Sequence, residues 1–293
     1  MKILFIGTVE FSLHMLEKLV SLDIDLVGVC TKKHSGFNSD FADLTPLCKL
    51  HSIPYLHLED INSKESVQWI KRLNPDVIFC FGWSFLLKKE VLTIPKLGVV
   101  GYHPAKLPKN RGRHPLIWAL VLGLESSAST FFFMNESADS GDILSQVDFN
   151  ISYKDDAASV YKKVVDVALQ QVEDIVFKLQ NGTLSTVKQD NSVANTWRRR
   201  TELDGLIDFR MNSRSIYNLT RALTRPYMGA HINYNGNNFS VWKVKEVEDC
   251  RHNFEPGMVL EAVDRTFVVK SYDGAIEIME HDFDTLPKVG EYL

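Results

Sequence analysis

Through the first half of the chain, short solid runs of apolar residues alternate with stretches in which apolar residues recur every third or fourth position. Residues 2 to 6 (Lys-Ile-Leu-Phe-Ile) read as a buried strand, and Glu10 to Leu22 puts Phe11, Leu13, Met15, Leu16 and Leu19 at helical spacing. A strand at 24 to 30, a helix at Leu44 to His51, a short strand at Ile53 to Leu56 and a helix at Ser63 to Leu73 continue the alternation, and Asp76 to Phe81 is a central strand. This order is the βαβ signature of a parallel sheet. No Gly-x-Gly-x-x-Gly follows the first strand, so the sheet is Rossmann-like without the dinucleotide fingerprint.

The next apolar run, Val99-Val100, stops at Gly101, and His103 follows at once. Pro104 and Pro108 then hold an irregular basic loop carrying Lys106, Lys109, Arg111 and Arg113. A helix is predicted over Pro115 to Leu122, with proline suited to its first turn. A strand ending at Asp139 and another over Ile143 to Ile151 make a hairpin-like pair around Asp139-Ser140-Gly141-Asp142. A long amphipathic helix over Asp155 to Leu179 buries Val160, Val164, Val165, Val167, Ala168, Val172, Ile175 and Val176 and stops at Asn181-Gly182.

Beyond it the pattern shortens. A helix at Ser213 to Leu223 precedes short strands at Phe239 to Val244, Gly257 to Ala262, Thr266 to Ser271 and Ala275 to Met279, with Asn235-Gly236 as a hairpin signal. The expected architecture is α/β: a Rossmann-like, mostly parallel sheet over 1–187, a linker at 188–206, and a helix plus small β-barrel-like (OB-like) domain over 207–293.

Composition narrows the class. The 293 residues are 45% hydrophobic and 24% charged, ordinary for a soluble globular chain, and no apolar stretch is long enough to span a bilayer. The N-terminus is a strand pattern rather than a signal, so a cytoplasmic location is expected. Cys30, Cys48, Cys80 and Cys250 are far apart and read as reduced thiols, and the scattered histidines form no metal cluster. Of the net charge of −4, residues 201 to 293 carry −5, with ten Lys and Arg against fifteen Asp and Glu. A domain gripping nucleic acid needs a basic face, so no nucleic-acid partner is expected.

The chemistry converges on two strand ends. Open parallel sheets bind ligands at the carboxyl ends of their strands. One such end offers His103 and the other Asp139, a pairing suited to a carboxylate that orients an imidazole acting as general base. A strand-end histidine that merely caps a loop has the same local signature.

The pattern His-Pro-x-x-Leu-Pro-x-x-Arg-Gly-Arg at 103 to 113, with Ala-Asp-Ser-Gly-Asp-Ile-Leu at 138 to 144, resembles the formyltransferases that use N10-formyltetrahydrofolate. Phe5-Ile6-Gly7-Thr8 followed by Glu10-Phe11 is similar to their first strand and turn, and Asp204-Gly-Leu-Ile-Asp-Phe209 with Tyr217 to Ala230 to the start of their C-terminal domain. The resemblance implies attack of a primary amine on the formyl carbon of the folate, with His103 taking the proton and Asp139 stabilising the charged ring. It implies donor contacts from Phe81, Gly82, Trp83, Ser84, Phe85 and Leu86, and from Glu136 and Ala138. The family places an asparagine, an oxyanion donor, two residues before the histidine. Here that position is Gly101, with Asn110, His114 and Asn135 as candidates to compensate.

Three acceptors compete. A nucleotide-linked amino sugar fits the acidic C-terminal part, the short polar loop at 32 to 43 and the Arg198-Arg199-Arg200-Thr201 linker; within the resemblance it points to a UDP-4-amino-4,6-dideoxy-N-acetyl sugar of nonulosonic-acid (pseudaminic-type) biosynthesis. Arg111, Arg113 and His114 would then contact the substrate or anchor their loop, and the resemblance implies a homodimer. The alternatives are methionyl-tRNA, or a formyltetrahydrofolate hydrolase or non-catalytic folate binder.

Overall fold

The computed structural model describes residues 1–34 and 40–293. The middle of the polar loop at 32 to 43 therefore lies outside the described residues. The first half runs β1 (Lys2–Ile6), α1 (Glu10–Ser21), β2 (Asp25–Thr31), α2 (Thr45–Leu50), β3 (Tyr55–His57), α3 (Lys64–Leu73), β4 (Val77–Cys80), α4 (Lys89–Leu92) and β5 (Val99–His103). Local chemistry sets the ends. The Ser63 hydroxyl accepts the Ser66 amide at the start of α3, and Asn74 closes it in the left-handed conformation that asparagine tolerates. The chain continues through β6 (Arg111–Gly112), α5 (Pro115–Val121), β7 (Ser126–Phe133), β8 (Ile143–Asn150), α6 (Ala157–Gln180), β9 (Thr196–Trp197), α7 (Ser213–Leu223), β10 (Ala230–Tyr234), β11 (Asn237–Val247), β12 (Val259–Val263), β13 (Thr266–Lys270) and β14 (Ala275–His281).

The larger sheet has seven strands in the order β3-β2-β1-β4-β5-β7-β8. Strands β3, β2, β1, β4 and β5 are mutually parallel, and β7 joins β5 antiparallel with Gly101 opposite Phe132 and His103 opposite Thr130. Successive strands step outward from β1 to β2 and β3 on one side and to β4 and β5 on the other. The carboxyl ends of β1 and β4 thus flank a switch point of the kind where open α/β sheets bind ligands. Phe5, Phe79, Phe81 and Phe131 are fully buried behind that edge. Each would cost about 3–5 kcal/mol if truncated to alanine.

The smaller sheet is antiparallel, five strands in the order β10-β11-β14-β13-β12, with α7 packed against β11. Asn235 and Gly236, both at positive φ, make the two-residue turn between β10 and β11. The architecture is the expected one, a parallel-rich α/β sheet followed by a small antiparallel β domain.

Two compact units emerge, and they are not consecutive blocks of sequence. The first comprises Met1–Gly112, Ser127–Phe149 and Lys162–Trp197; the second comprises Arg113–Ser126, Asn150–Tyr161 and Arg198–Leu293. Helix α5 packs on α7 in the second unit, where the buried Leu116, Ile117, Ala119 and Leu120 account for its apolar pattern. Hydrophobic periodicity marks a buried helix face without saying which sheet it faces. No described helix is long and apolar enough to cross a membrane.

Candidate active site

Strand β5 runs three residues past the Val99-Val100 run, and His103 is its last residue. Only 4% of the residue is exposed. Its Nε2 lies 2.7 Å from the backbone carbonyl oxygen of Asn110. A carbonyl can only accept, so Nε2 carries the proton and Nδ1 holds the lone pair in the neutral ring. That Nδ1 faces Asp139 Oδ2 across 3.7 Å. The distance is too long for a hydrogen bond and short enough for an ion pair once the ring is protonated.

The loop after His103 is fixed from several directions. Thr130 Oγ1 on β7 donates to the Ala105 carbonyl at 2.7 Å, and Gln146 Nε2 on β8 donates to that of Leu107 at 3.0 Å. Asn110 sits at φ 63°, its amide bonded to Asn195 Oδ1 at 2.8 Å. Arg111 and Gly112, expected as irregular loop, form a small parallel ladder with Thr196 and Trp197 of the expected linker. Both partners are two-residue strands with no periodicity to read.

Strand β7 ends at Phe133, short of the expected Asp139, which stands at φ 52° in the turn between β7 and β8 with Oδ2 accepting the Gly112 amide at 2.9 Å. Gly141 belongs to the same turn because a Cβ there would lie 1.7 Å from the Phe133 carbonyl oxygen. Glu136 and Ala138 are exposed on this turn. At Gly101 a Cβ would meet Met134 Cγ at 2.7 Å and Phe132 Cζ at 3.0 Å, so Met134 covers the space that a side chain at 101 would occupy.

The segment from Phe81 to Leu86 leaves the end of β4. Gly82 is required by its φ of 68° and by Val9 Cγ2, which a Cβ would approach to 2.3 Å. Trp83 and Ser84 are half-buried, while Phe85 and Leu86 are exposed. Lys32 Nζ, just past β2, lies 4.5 Å from the Phe85 ring centre and 5.7 Å from that of Trp83. Ser12, which sequence reasoning passed over as one helical position among others, ties this edge together. Its hydroxyl donates to the Phe81 carbonyl at 2.6 Å and accepts the Thr8 and Val9 amides at 3.1 and 3.2 Å. Three buried polar atoms at the carboxyl ends of β1, β2 and β4 have no hydrogen-bond partner among the described residues: Thr8 Oγ1, Thr31 Oγ1 and Trp83 Nε1. Such orphans are rare enough in native folds to need a reason.

The predicted substrate residues divide between the two units. Arg111 is in the first, its Nε and Nη2 bonded to Gln189 Oε1 and its Nη2 also to Asn191 Oδ1. Arg113 and His114 are in the second. His114 begins α5 at φ 54° with a buried Nδ1 that has no hydrogen-bond partner among the described residues; burial, and then the charges of Arg113, Arg199 and Arg200, push its pKa down. Cys30, Cys48 and Cys80 are buried free thiols, and burial pushes Cys48 up to about 11, so none is poised as a nucleophile.

Comparison with known proteins agrees with this arrangement. Residues 1–175 match the family described as Formyl transferase, and residues 200–288 match Formyl transferase, C-terminal domain. A methionyl-tRNA formyltransferase of Caldanaerobacter subterraneus subsp. tengcongensis is 31% identical over 300 residues, covering 100% of this chain and 96% of that protein. In fold, an N-formyltransferase from Helicobacter canadensis, solved with folinic acid and dTDP-3-aminofucose, superimposes with a TM-score of 0.72 at 19% identity, over 96% of this chain and 99% of that one. HypX from Aquifex aeolicus in complex with tetrahydrofolic acid gives 0.68 at 18% identity over 95% of this chain, which spans 43% of that protein's length. The match across both halves, in order, means that this chain belongs to the formyl transferase family.

Proposed function

We propose that the protein transfers the formyl group of N10-formyltetrahydrofolate to the amine of a nucleotide-linked amino sugar. The observation that carries the chemistry is the buried His103 whose lone-pair nitrogen faces a carboxylate at the end of the sheet. The folate fits the switch-point edge, where Thr8, Thr31 and Trp83 hold polar atoms without hydrogen-bond partners among the described residues. Phe81 to Leu86, with Glu136 and Ala138, would hold the pterin, Gly82 allowing close backbone approach. When bound, the folate supplies an activated formyl carbon.

The residues then act as follows. His103 would accept at Nδ1 the proton released by the acceptor amine and return it to the departing N10 nitrogen as the formyl C–N10 bond breaks, while its Nε2–H stays on the Asn110 carbonyl. The imidazolium so formed lies between that carbonyl and the Asp139 carboxylate, which supplies the opposite charge. Asp139 is itself held by the Gly112 amide. Gly101 brings no side-chain donor, so stabilisation of the oxygen that gains charge falls to other groups, such as the Asn110 or Asn135 carboxamide.

For the acceptor, the net −5 over residues 201 to 293 supports a small substrate rather than tRNA. The finer reading is a UDP-linked 4-amino-4,6-dideoxy-N-acetyl sugar, with Arg113 and His114 in contact with it. Methionyl-tRNA is the second reading, favoured by the 31% identity to a methionyl-tRNA formyltransferase along the whole chain. Formyl transfer from N10-formyltetrahydrofolate, followed by mass spectrometry, is the test, with UDP-, dTDP- and GDP-linked amino sugars beside methionyl-tRNA as acceptors. One formyl group gained by a sugar nucleotide supports the proposal. Formylation of methionyl-tRNA alone replaces it with the second reading, and formate release without any acceptor overturns both.

A further inference from the structure

We infer that Gln189 is a positioning residue for the catalytic pair, acting through Asp139; the inference rests on the proposed role of His103 and Asp139. Gln189 lies beyond α6, in a segment without sequence pattern, yet it is only 6% exposed. Its Nε2 donates to the backbone carbonyls of Asp139 at 2.9 Å and Gly141 at 2.7 Å. Its Oε1 accepts from Arg111 Nε at 3.2 Å and Nη2 at 2.7 Å. A primary carboxamide has two donors and two lone pairs, and here all four are used.

These bonds close a ring. His103 is held through Nε2 by Asn110, and the next residue, Arg111, is held by Gln189. Gln189 holds the turn that carries Asp139, and the Asp139 carboxylate returns to Gly112. Both loops need outside support, because Asn110 and Asp139 each sit at positive φ, a conformation that costs free energy outside glycine. The 3.7 Å gap between His103 and Asp139 is therefore set by a side chain whose hydrogen bonds reach the backbone of the Asp139 turn and the Arg111 guanidinium. Only a carboxamide suits the place: a carboxylate would serve Arg111 but turn an acceptor toward two carbonyls.

The test compares Gln189→Met, which keeps length and packing, with Gln189→Glu, which keeps only the Arg111 side. Each variant is assayed for formyl transfer on the acceptor that the wild type uses, and the Gly112 amide is followed by hydrogen exchange. In Gln189→Met, kcat should fall about tenfold to a hundredfold, the loss typical of a displaced catalytic group, with KM for the folate within about twofold. Gln189→Glu should fall further. Gly112 should exchange faster in both. In an Asp139→Ala background, Gln189→Met should cost no additional kcat, whereas a merely structural role would add its loss in full. A Gln189→Met enzyme with wild-type kcat and unchanged Gly112 protection overturns the inference. If the wild type formylates nothing, the functional reading has failed, and Gly112 exchange alone still decides whether Gln189 positions the turn.

Discussion

His103 Nδ1 and Asp139 Oδ2 stand 3.7 Å apart without a hydrogen bond between them, while the other ring nitrogen is anchored on a backbone carbonyl. The imidazole is thus oriented by Asn110, leaving the Asp139 carboxylate to meet the proton that arrives at Nδ1. This differs from the arrangement the sequence suggested, in which the carboxylate itself orients the ring. Removing the base should cost what general-base catalysis contributes, about 10²- to 10⁴-fold. His103→Ala is expected to lower kcat by that factor while folate affinity, read by equilibrium fluorescence, stays within about twofold. Near-normal turnover by this variant would rule out the assigned role.

Gly101 and Met134 form a second coupled pair. A side chain at 101 would push into Met134 Cγ and Phe132 Cζ, so the family asparagine cannot simply be restored. Gly101→Asn alone should lose about 1–3 kcal/mol in urea unfolding, the usual penalty of overpacking. Adding Met134→Ala should return much of that loss, giving a clear non-additive cycle. If the two changes add independently, Met134 does not occupy the place of the missing side chain.

The sequence carried the elements and strand ends well and the tertiary restraints poorly. Apolar runs and helical spacing located β1, α1, β4 and α7 to within a residue or so, because each buries a face whose period survives in the sequence. His103 and Asp139 could be paired in advance because one ends an apolar strand and the other lies in the polar turn that follows the next apolar strand, although that strand stops at Phe133 rather than at Asp139. Arg111 was legible as a basic loop residue, but its partners Gln189 and Asn191 lie about 80 residues on, in a stretch with no periodicity. Ser12 was hidden for a different reason: it lies within a regular helix, and what distinguishes it is a carbonyl 69 residues away.

Ser12 also carries a stability prediction. Ser12→Ala removes the partner of two backbone amides and one buried carbonyl at the edge where β1 and β4 end. Each buried group left unsatisfied costs about 1–3 kcal/mol, less where water reaches it. Urea unfolding should show a loss of at least about 1 kcal/mol, and folate binding should weaken because Gly82 and Trp83 follow the released carbonyl. A variant as stable as wild type would mean that the hydroxyl merely fills space.

Two groups in the second unit make its stability depend on pH in separate windows. The Asp204 carboxyl is held well below the usual carboxylate range, first by its hydrogen bonds from the Arg198 guanidinium and further by the Thr201 amide. A depressed folded value means that its stabilisation is present above the unfolded pKa of about 3.9 and is lost as pH falls from there toward the folded one. His114 is also pushed down, by burial and by Arg113, Arg199 and Arg200, but for a histidine this has another consequence. Its protonation favours the unfolded chain, so stability falls as pH drops below the unfolded value of about 6.5 and levels off below the folded one. Melting temperature measured across pH should therefore decline in two steps. His114→Asn, chosen because asparagine accepts the left-handed backbone at φ 54°, should flatten the upper step and leave the lower one. Asp204→Asn should lower stability at neutral pH, flatten the decline below about pH 4 and deepen the upper step, because the Asp204 charge partly offsets the downward push on His114. The Arg198 side chain is 62% exposed, so solvent screening should keep the Asp204 step small. An upper step that survives in His114→Asn would assign it to another group.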